Sequence, residues 1–221
     1  MAESTPHYSK ALIEKSYDKM ASFYLEWTSK YPSPREEYTQ KLLSLLPGTD
    51  DQRILELGCG AGIPGTRLLL EHGCRVVGND ISSEQLKLAK QNLETFHEKL
   101  ELSQKDMMEL EFAEGSLDAV VAFYSLIHLP RDEQKVILGR MQRWLKNGGH
   151  ILINLGTKDV ADGAADNWLG EGMYWSGFDT KSNEAMVSEA GFEVLESKVI
   201  DQREEEDKVV PFLWILARKT L

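Results

Sequence analysis

The chemistry this sequence could perform rests on a glycine turn, three acids and a histidine. In the run Ile54-Leu55-Glu56-Leu57-Gly58-Cys59-Gly60-Ala61-Gly62-Ile63-Pro64-Gly65, an apolar stretch holding one acid gives way to glycines and then to a helix start. It reads as a buried parallel strand, a tight turn and a helix N-terminus. There the missing Cβ atoms let a ligand approach the backbone, and free N–H groups favour an electron-rich ligand group. Pro64 suits a first helical position. Gly60, Gly62 and Gly65 also satisfy G-x-G-x-x-G, the spacing of dinucleotide-binding turns. A second run, Arg75-Val76-Val77-Gly78-Asn79-Asp80, ends in an acid about twenty residues further on, where a carboxylate can accept both hydroxyls of a ribose. Either nucleotide cofactor would use it. Glu56 separates the two, because a carboxylate inside the turn repels a pyrophosphate and would not repel a cationic amino acid group. The segment Leu102-Ser103-Gln104-Lys105-Asp106-Met107 reads as a third strand, its terminal acid suited to an exocyclic amine such as that of adenine.

Strands are read near 54 to 57, 75 to 79, 101 to 105, 117 to 123, 149 to 155, 193 to 200 and 209 to 218, with helices between most of them. Strand alternating with helix predicts a parallel sheet covered on both faces, with the ligand at the carboxyl ends of the strands. Only Asp201 to Lys208 separates the last two strands, too short for a parallel crossover, so they should pair antiparallel. The fold class is therefore α/β: a doubly wound, Rossmann-like, seven-stranded and mostly parallel sheet with an antiparallel C-terminal strand. Residues 1–50 are read as an N-terminal helical cap of the same domain. Leu12, Lys15, Ser16, Tyr17, Met20, Tyr24 and Leu25 give one side of its first helix a mixed aromatic and apolar stripe, and a second helix runs from about Pro34 to Leu46. Residues 51–221 form the core, with a lid insertion near 156–178.

The motifs Glu56 to Gly62, Asp80-Ile81, Asp106-Met107 and Leu117 to Phe123, followed by Trp144-Leu145-Lys146-Asn147-Gly148-Gly149-His150-Ile151-Leu152-Ile153, resemble in order and spacing those of class I S-adenosylmethionine-dependent methyltransferases. The resemblance covers nearly the whole chain and looks nearest to the small-molecule branch of ubiquinone-biosynthesis type. It implies S-adenosyl-L-methionine as cofactor, with Gly58 and Gly60 along its methionine part. Asp80 would hold the ribose, Gln85 would approach it, and Ile81 would pack on the adenine. Asp106 and Met107 would read the adenine edge, and Phe123 would contact the methionine end. Tyr17 and Tyr24 could close this pocket from the first helix, or belong to the core.

Methyl transfer needs a lone pair held in line with the S–CH₃ bond, and a base only when the nucleophile carries a proton it must lose. His128, in Tyr124-Ser125-Leu126-Ile127-His128-Leu129-Pro130, follows the fourth strand on the ligand side and is the candidate base; its alternative is a hydrogen-bonded loop histidine. Tyr17 is a second candidate for a catalytic role. Gly156 to Phe178 is long enough for a mobile cover with an apolar underside, to which Trp168, Met173, Tyr174 and Trp175 would contribute, and this suits a small aromatic or apolar acceptor; the same residues read equally as an apolar staple fastening a long loop to the N-terminal helices.

A chain of 221 residues with 42% hydrophobic content can bury one core. The net charge of −11 and the absence of a Lys/Arg run argue against nucleic acid as partner. No stretch has the character of a signal peptide or membrane span, and Cys59 and Cys74 alone suggest a reducing, cytoplasmic setting. No metal site is expected, since Asp159, Asp162, Asp166 and Asp179 lack ordered ligand spacing. The expected activity is methyl transfer to O, N, S or activated C of a small molecule. The alternatives are a methyltransferase-like enzyme that catalyses a cyclisation or rearrangement, and a noncatalytic partner of a methyltransferase. Oligomeric state is not legible.

Overall fold

The computed structural model describes residues 10–31, 33–48, 51–206 and 208–220. Two helices, α1 (Lys10–Ser29) and α2 (Arg35–Leu45), precede an alternating series. The series runs β1 (Arg53–Leu57), α3 (Gly65–Glu71), β2 (Arg75–Asp80), α4 (Ser83–Asn92), β3 (Leu100–Gln104), β4 (Leu117–Ala122), α5 (Arg131–Trp144) and β5 (Leu145–Gly156). A hairpin, β6 (Val160–Trp168) and β7 (Glu171–Gly177), then leads into α6 (Thr180–Glu189), β8 (Phe192–Glu205) and β9 (Lys208–Lys219).

Seven strands form one sheet in the order β3-β2-β1-β4-β5-β9-β8. The first five are parallel, and β9 runs antiparallel between β5 and β8. The chain reverses direction across the sheet between β1 and β4, which opens a crevice at their carboxyl ends. Strand alternation sorts the core onto two faces. Leu55, Leu57, Val120 and Ile153 pack with α5 and α6 through Ile137, Met141, Trp144 and Val187. On the opposite face, Ile54, Val121, Leu152 and Trp214 pack with α2 and α3 through Tyr38, Leu42 and Leu69. Glu56 shares the second face and is thereby aimed at α3.

Two local expectations change. Helix α3 begins at Gly65, with Pro64 at its N-cap rather than inside it. Helix α4 is capped by Ser82, its hydroxyl accepting from the Gln85 N–H at 3.1 Å, which leaves Asp80 to the turn. Most of the stretch expected as a loose cover over 156–178 is a two-stranded sheet, β6 with β7, joined at Leu169-Gly170, both at positive φ. Alanines and acids in β6 give little alternation, so pairing there is carried by the backbone.

Helix α1 ties this hairpin to the sheet. Ile13, Met20 and Met173 form a third apolar cluster with Tyr17, Tyr24 and Trp168 against it. The Ser16 hydroxyl donates to the Gly172 carbonyl at 2.7 Å, and Lys19 pairs with Glu171 at 2.8 Å. From the other side of the same helix, Asp18 accepts from the Ser82 hydroxyl at 2.7 Å and the Glu84 N–H at 3.1 Å.

Candidate active site

The glycine turn after β1 is built by close approach. Gly58 (φ +69°) leaves no room for a Cβ, which would lie 2.4 Å from the Ser125 Cβ; Gly60 (φ +55°) faces the Gln85 amide. Asp80 clamps the turn from the end of β2: one carboxylate oxygen accepts from the Gly60 N–H at 2.8 Å, the other from the Ser82 N–H at 2.9 Å. Burial pushes its pKa up to about 6 against those hydrogen bonds. Burial likewise lifts Glu56 to about 7, although Glu56 Oε2 accepts from the Thr66 hydroxyl at 2.6 Å.

Two pockets lie along this turn. One, of about 90 Å³, is lined by Gly58, Gly60, Asp80, Ile81, Gln85, Asp106, Met107 and Phe123, with Tyr17 and Tyr24 from α1. A smaller one of about 40 Å³ shares Tyr24, Gly58, Gly60, Gln85 and Phe123 and adds Glu56. The structure thus brings together the residues that the sequence motifs single out. Asp106 is already engaged: its carboxylate accepts from the Met108 N–H at 2.9 Å and pairs with Lys10 of α1.

Beside these pockets lies a cavity of about 450 Å³, walled by Trp27, Tyr31, Trp168, Trp175, Val210 and Phe212 among others. The Trp168 ring sits 5.6 to 6.3 Å from those of Tyr17, Tyr24, Trp27 and Trp175. Met173 and Tyr174, expected on the same underside, line neither this cavity nor the pockets along the turn. Met173 is fully buried beneath α1, and Tyr174, one residue on along the strand, points to the other face.

Tyr17, Tyr24, Tyr124 and His128 line both the large cavity and the Asp80 pocket. His128 Nδ1 meets the Tyr174 carbonyl at 2.8 Å, and that oxygen can only accept, so Nδ1 carries the proton. The lone pair is therefore on Nε2, where it accepts from the Tyr17 hydroxyl at 2.9 Å. Burial drives His128 down to about 4, and the ring is neutral. Burial drives Tyr17 upward, keeping its hydroxyl protonated.

Three contributors were not singled out from sequence. Tyr124 holds φ +56° at the tip of β4, its N–H donating to Asn154 Oδ1 at 2.6 Å and its hydroxyl to Gln202 at 3.2 Å. Asn79 fastens β2 to β3 by donating to the Ser103 and Lys105 carbonyls at 3.0 and 2.9 Å. Arg35 stacks over the Tyr124 ring at 4.8 Å. Tyr124 lies two residues beyond the end of β4, and its positive φ is a property of the fold that no sequence pattern announces. Among the described residues, no group of three or more His, Cys, Asp or Glu side chains could hold a metal ion.

Residues 54–149 match a family described as a methyltransferase domain. Among curated proteins, the chain is 29% identical over 168 residues to the methyltransferase GfsG of Streptomyces halstedii, covering 73% of this chain and 60% of that one. It is 28% identical to an O-methyltransferase of Pyrenophora dematioidea, covering 76% and 64%. The chain thus spans less than two thirds of the length of these relatives. A Burkholderia thailandensis 1,6-didemethyltoxoflavin-N1-methyltransferase, solved with bound S-adenosylhomocysteine, superposes with a TM-score of 0.74 at 18% identity, over 100% of this chain and 93% of that one. The [4+2]-cyclase SpnF superposes at 0.75 and 16% identity over the whole of both chains. At such identity the two superpositions show the fold.

Residues 54–149 match a methyltransferase domain, and the motifs and strand order around the pocket resemble those of class I S-adenosylmethionine-dependent methyltransferases. S-adenosylmethionine is the cofactor of that class, and the lining of the pocket fits it. Both polar atoms of the Gln85 amide and Asn79 Oδ1 are buried beside Asp80 without a hydrogen-bond partner, as donors and acceptors kept for a polar ligand would be.

Proposed function

We propose that the protein transfers a methyl group from S-adenosylmethionine to O, N, S or an activated carbon of a small, aromatic or otherwise apolar acceptor held in the 450 Å³ cavity. One observation carries this reading. Tyr17, Tyr24, Tyr124 and His128 form a wall common to the pocket of the glycine turn and a cavity of ligand size. When bound, the cofactor supplies an electrophilic methyl group on a sulfonium.

The chain's own residues supply position and dryness. Gly58 and Gly60 admit the ligand to the backbone, Asp80 accepts from the ribose hydroxyls, and Gln85 approaches the ribose. Ile81 and Met107 flank the adenine, Asp106 accepts from its amine, and Phe123 closes the methionine end. Tyr24 and Tyr17 cover the pocket from α1. Trp168 and Trp175 make the β6–β7 hairpin a lid whose apolar face excludes water, which strengthens each electrostatic contact inside. The N-terminal helices and this hairpin act as cap and lid of one domain with the sheet.

His128 offers a lone pair at Nε2 throughout the neutral range. The burial that keeps it neutral also disfavours the imidazolium. It thus serves as an acceptor for the hydroxyl or N–H of the incoming molecule, displacing Tyr17, and takes the proton only as bond formation to the methyl group makes that proton strongly acidic. Tyr17 occupies the lone pair until then.

The ubiquinone-biosynthesis-type likeness agrees with a ring-binding cavity. Net charge of −11 supports a small-molecule rather than nucleic-acid partner. No described helix is long and apolar enough to cross a membrane. The cytoplasmic reading rests on Cys59 and Cys74 alone, both buried and unpaired thiols of the kind a reducing compartment keeps.

Incubation with S-adenosylmethionine and a panel of small aromatic and apolar acceptors, read by mass, tests the reading. A product heavier by CH₂, with S-adenosylhomocysteine formed, supports it. A product of unchanged mass would instead favour a cyclisation or rearrangement.

A further inference from the structure

The cavity of about 450 Å³ is walled in large part by aromatic rings, and most of the buried polar groups among them are engaged. The Tyr17 hydroxyl donates to His128, that of Tyr124 to Gln202, and that of Ser176 to the Leu129 carbonyl at 2.6 Å. Among the described lining residues, two buried side-chain nitrogens have no hydrogen-bond partner, Trp27 Nε1 and Arg35 Nε, and no buried side-chain oxygen lacks one. Both nitrogens can only donate. Arg35 also lines the small pocket of the glycine turn. Trp27 lines neither pocket along that turn, so its N–H belongs to the acceptor's space and not to the cofactor's. A buried indole N–H ordinarily finds a partner, and one left unmet on a cavity wall is a donor that an incoming oxygen would complete.

Neighbouring rings hold Trp27 in place. It stacks on Tyr24 at 5.8 Å and meets Trp168 edge to face at 5.9 Å. A row of rings runs from His128 through Tyr17 and Tyr24 to Trp27, in steps of 5.5, 5.3 and 5.8 Å. Along α1, Tyr17 and Trp27 are separated by about 15 Å at the rise of an α-helix, which sets the donor far from the His128 lone pair. Resting on the methyltransferase reading, we infer that Trp27 Nε1 donates to a carbonyl or similar oxygen at the far end of the acceptor. The acceptor is then an elongated aromatic molecule with an oxygen remote from the atom that is methylated, and a hydrocarbon tail in that position leaves the donor unmet.

Two biphenyls test this, each with a hydroxyl at one para end and either an acetyl or an ethyl group at the other. In calorimetry with S-adenosylhomocysteine present, the wild-type protein should bind the acetyl compound about threefold to tenfold more tightly than the ethyl one. Trp27→Phe should bring the two within about twofold by weakening the acetyl compound, with S-adenosylhomocysteine affinity changed by no more than about twofold. In proton–nitrogen correlation spectra, the indole peak lost in Trp27→Phe should move downfield with the acetyl compound and not with the ethyl one, a shift that a packing role would not produce. Thermal unfolding checks the variant's fold, and the wild-type comparison stands without it. A preference that survives Trp27→Phe would overturn the assignment and move the oxygen to Arg35. Equal weakening of both compounds, with the indole peak unmoved, would overturn it in favour of packing. Equal wild-type affinities, or no binding of either compound while S-adenosylhomocysteine binds, would overturn this inference alone. No binding of S-adenosylhomocysteine would overturn the methyltransferase reading beneath it.

Discussion

The Tyr17 hydroxyl donates to His128 Nε2 at 2.9 Å, joining the N-terminal helix to the loop after β4 across the wall that separates the two binding spaces. A ring whose other nitrogen is fixed by the Tyr174 carbonyl presents one lone pair there, and Tyr17 is its partner.

This contact sets the expectation for two variants. His128→Asn should lower kcat by about 10² or more for an acceptor that must lose a proton, with S-adenosylhomocysteine affinity changed less than about threefold. Tyr17→Phe should cost about 1 kcal/mol in urea unfolding, because it leaves a buried acceptor unmet. Steady-state kinetics beside calorimetry reads the first, and denaturant titration the second.

The pH dependence has opposite signs for the buried groups. His128, depressed to about 4 in the fold, contributes stability that is present above its ordinary value of 6.5 and lost as pH falls from there toward 4. Glu56 and Asp80, raised to about 7 and about 6, act the other way. Their contribution is greatest below their ordinary values of 4.5 and 3.8 and is lost as pH rises through 6 to 7. A cationic ligand beside Glu56 favours its ionised form, so S-adenosylmethionine should bind with proton release near pH 6 and more tightly at pH 8 than at pH 5.5. Calorimetry in buffers of differing ionisation enthalpy measures this directly; affinity independent of pH over that window would contradict it.

Asp80→Asn keeps the shape of the clamp but presents an amide nitrogen to one of its two N–H donors. The variant should lose about 1.5 to 3 kcal/mol of stability and at least tenfold in S-adenosylhomocysteine affinity. Chemical unfolding and calorimetry on the same preparation check both.

Two glycines at similar φ give a contrast. Gly58→Ala places a Cβ 2.4 Å from that of Ser125, whereas Gly115 (φ +64°) has nothing within 4 Å. Gly115→Ala should cost only the backbone penalty, about 1 kcal/mol; Gly58→Ala should cost several and abolish cofactor binding. Urea midpoints of the two variants decide it.

Much of the fold was legible because its determinants are local. The apolar runs before Gly58 and Asp80 announce buried strands, and the short stretch from Asp201 to Lys208 announces antiparallel pairing of β8 with β9, although most of it is itself taken into the two strands. The β6–β7 hairpin was not legible, since Ala164, Ala165 and Asp166 carry no strand signal and pairing there depends on α1 lying across it. Glu56, Asp80 and Asp106 could be found as acids at strand ends. Their partners could not: Thr66 and Lys10 reach them only through tertiary packing. Arg35, in the polar run Arg35-Glu36-Glu37, reads in sequence as the solvated start of a helix; its position under the glycine turn follows from how α2 packs on the sheet.

The most direct test is calorimetric titration of the wild-type protein with S-adenosylhomocysteine beside NAD, since the glycine spacing alone admits both. Micromolar binding of S-adenosylhomocysteine with none of NAD is the predicted result. A folded protein that binds NAD and not S-adenosylhomocysteine would contradict the account.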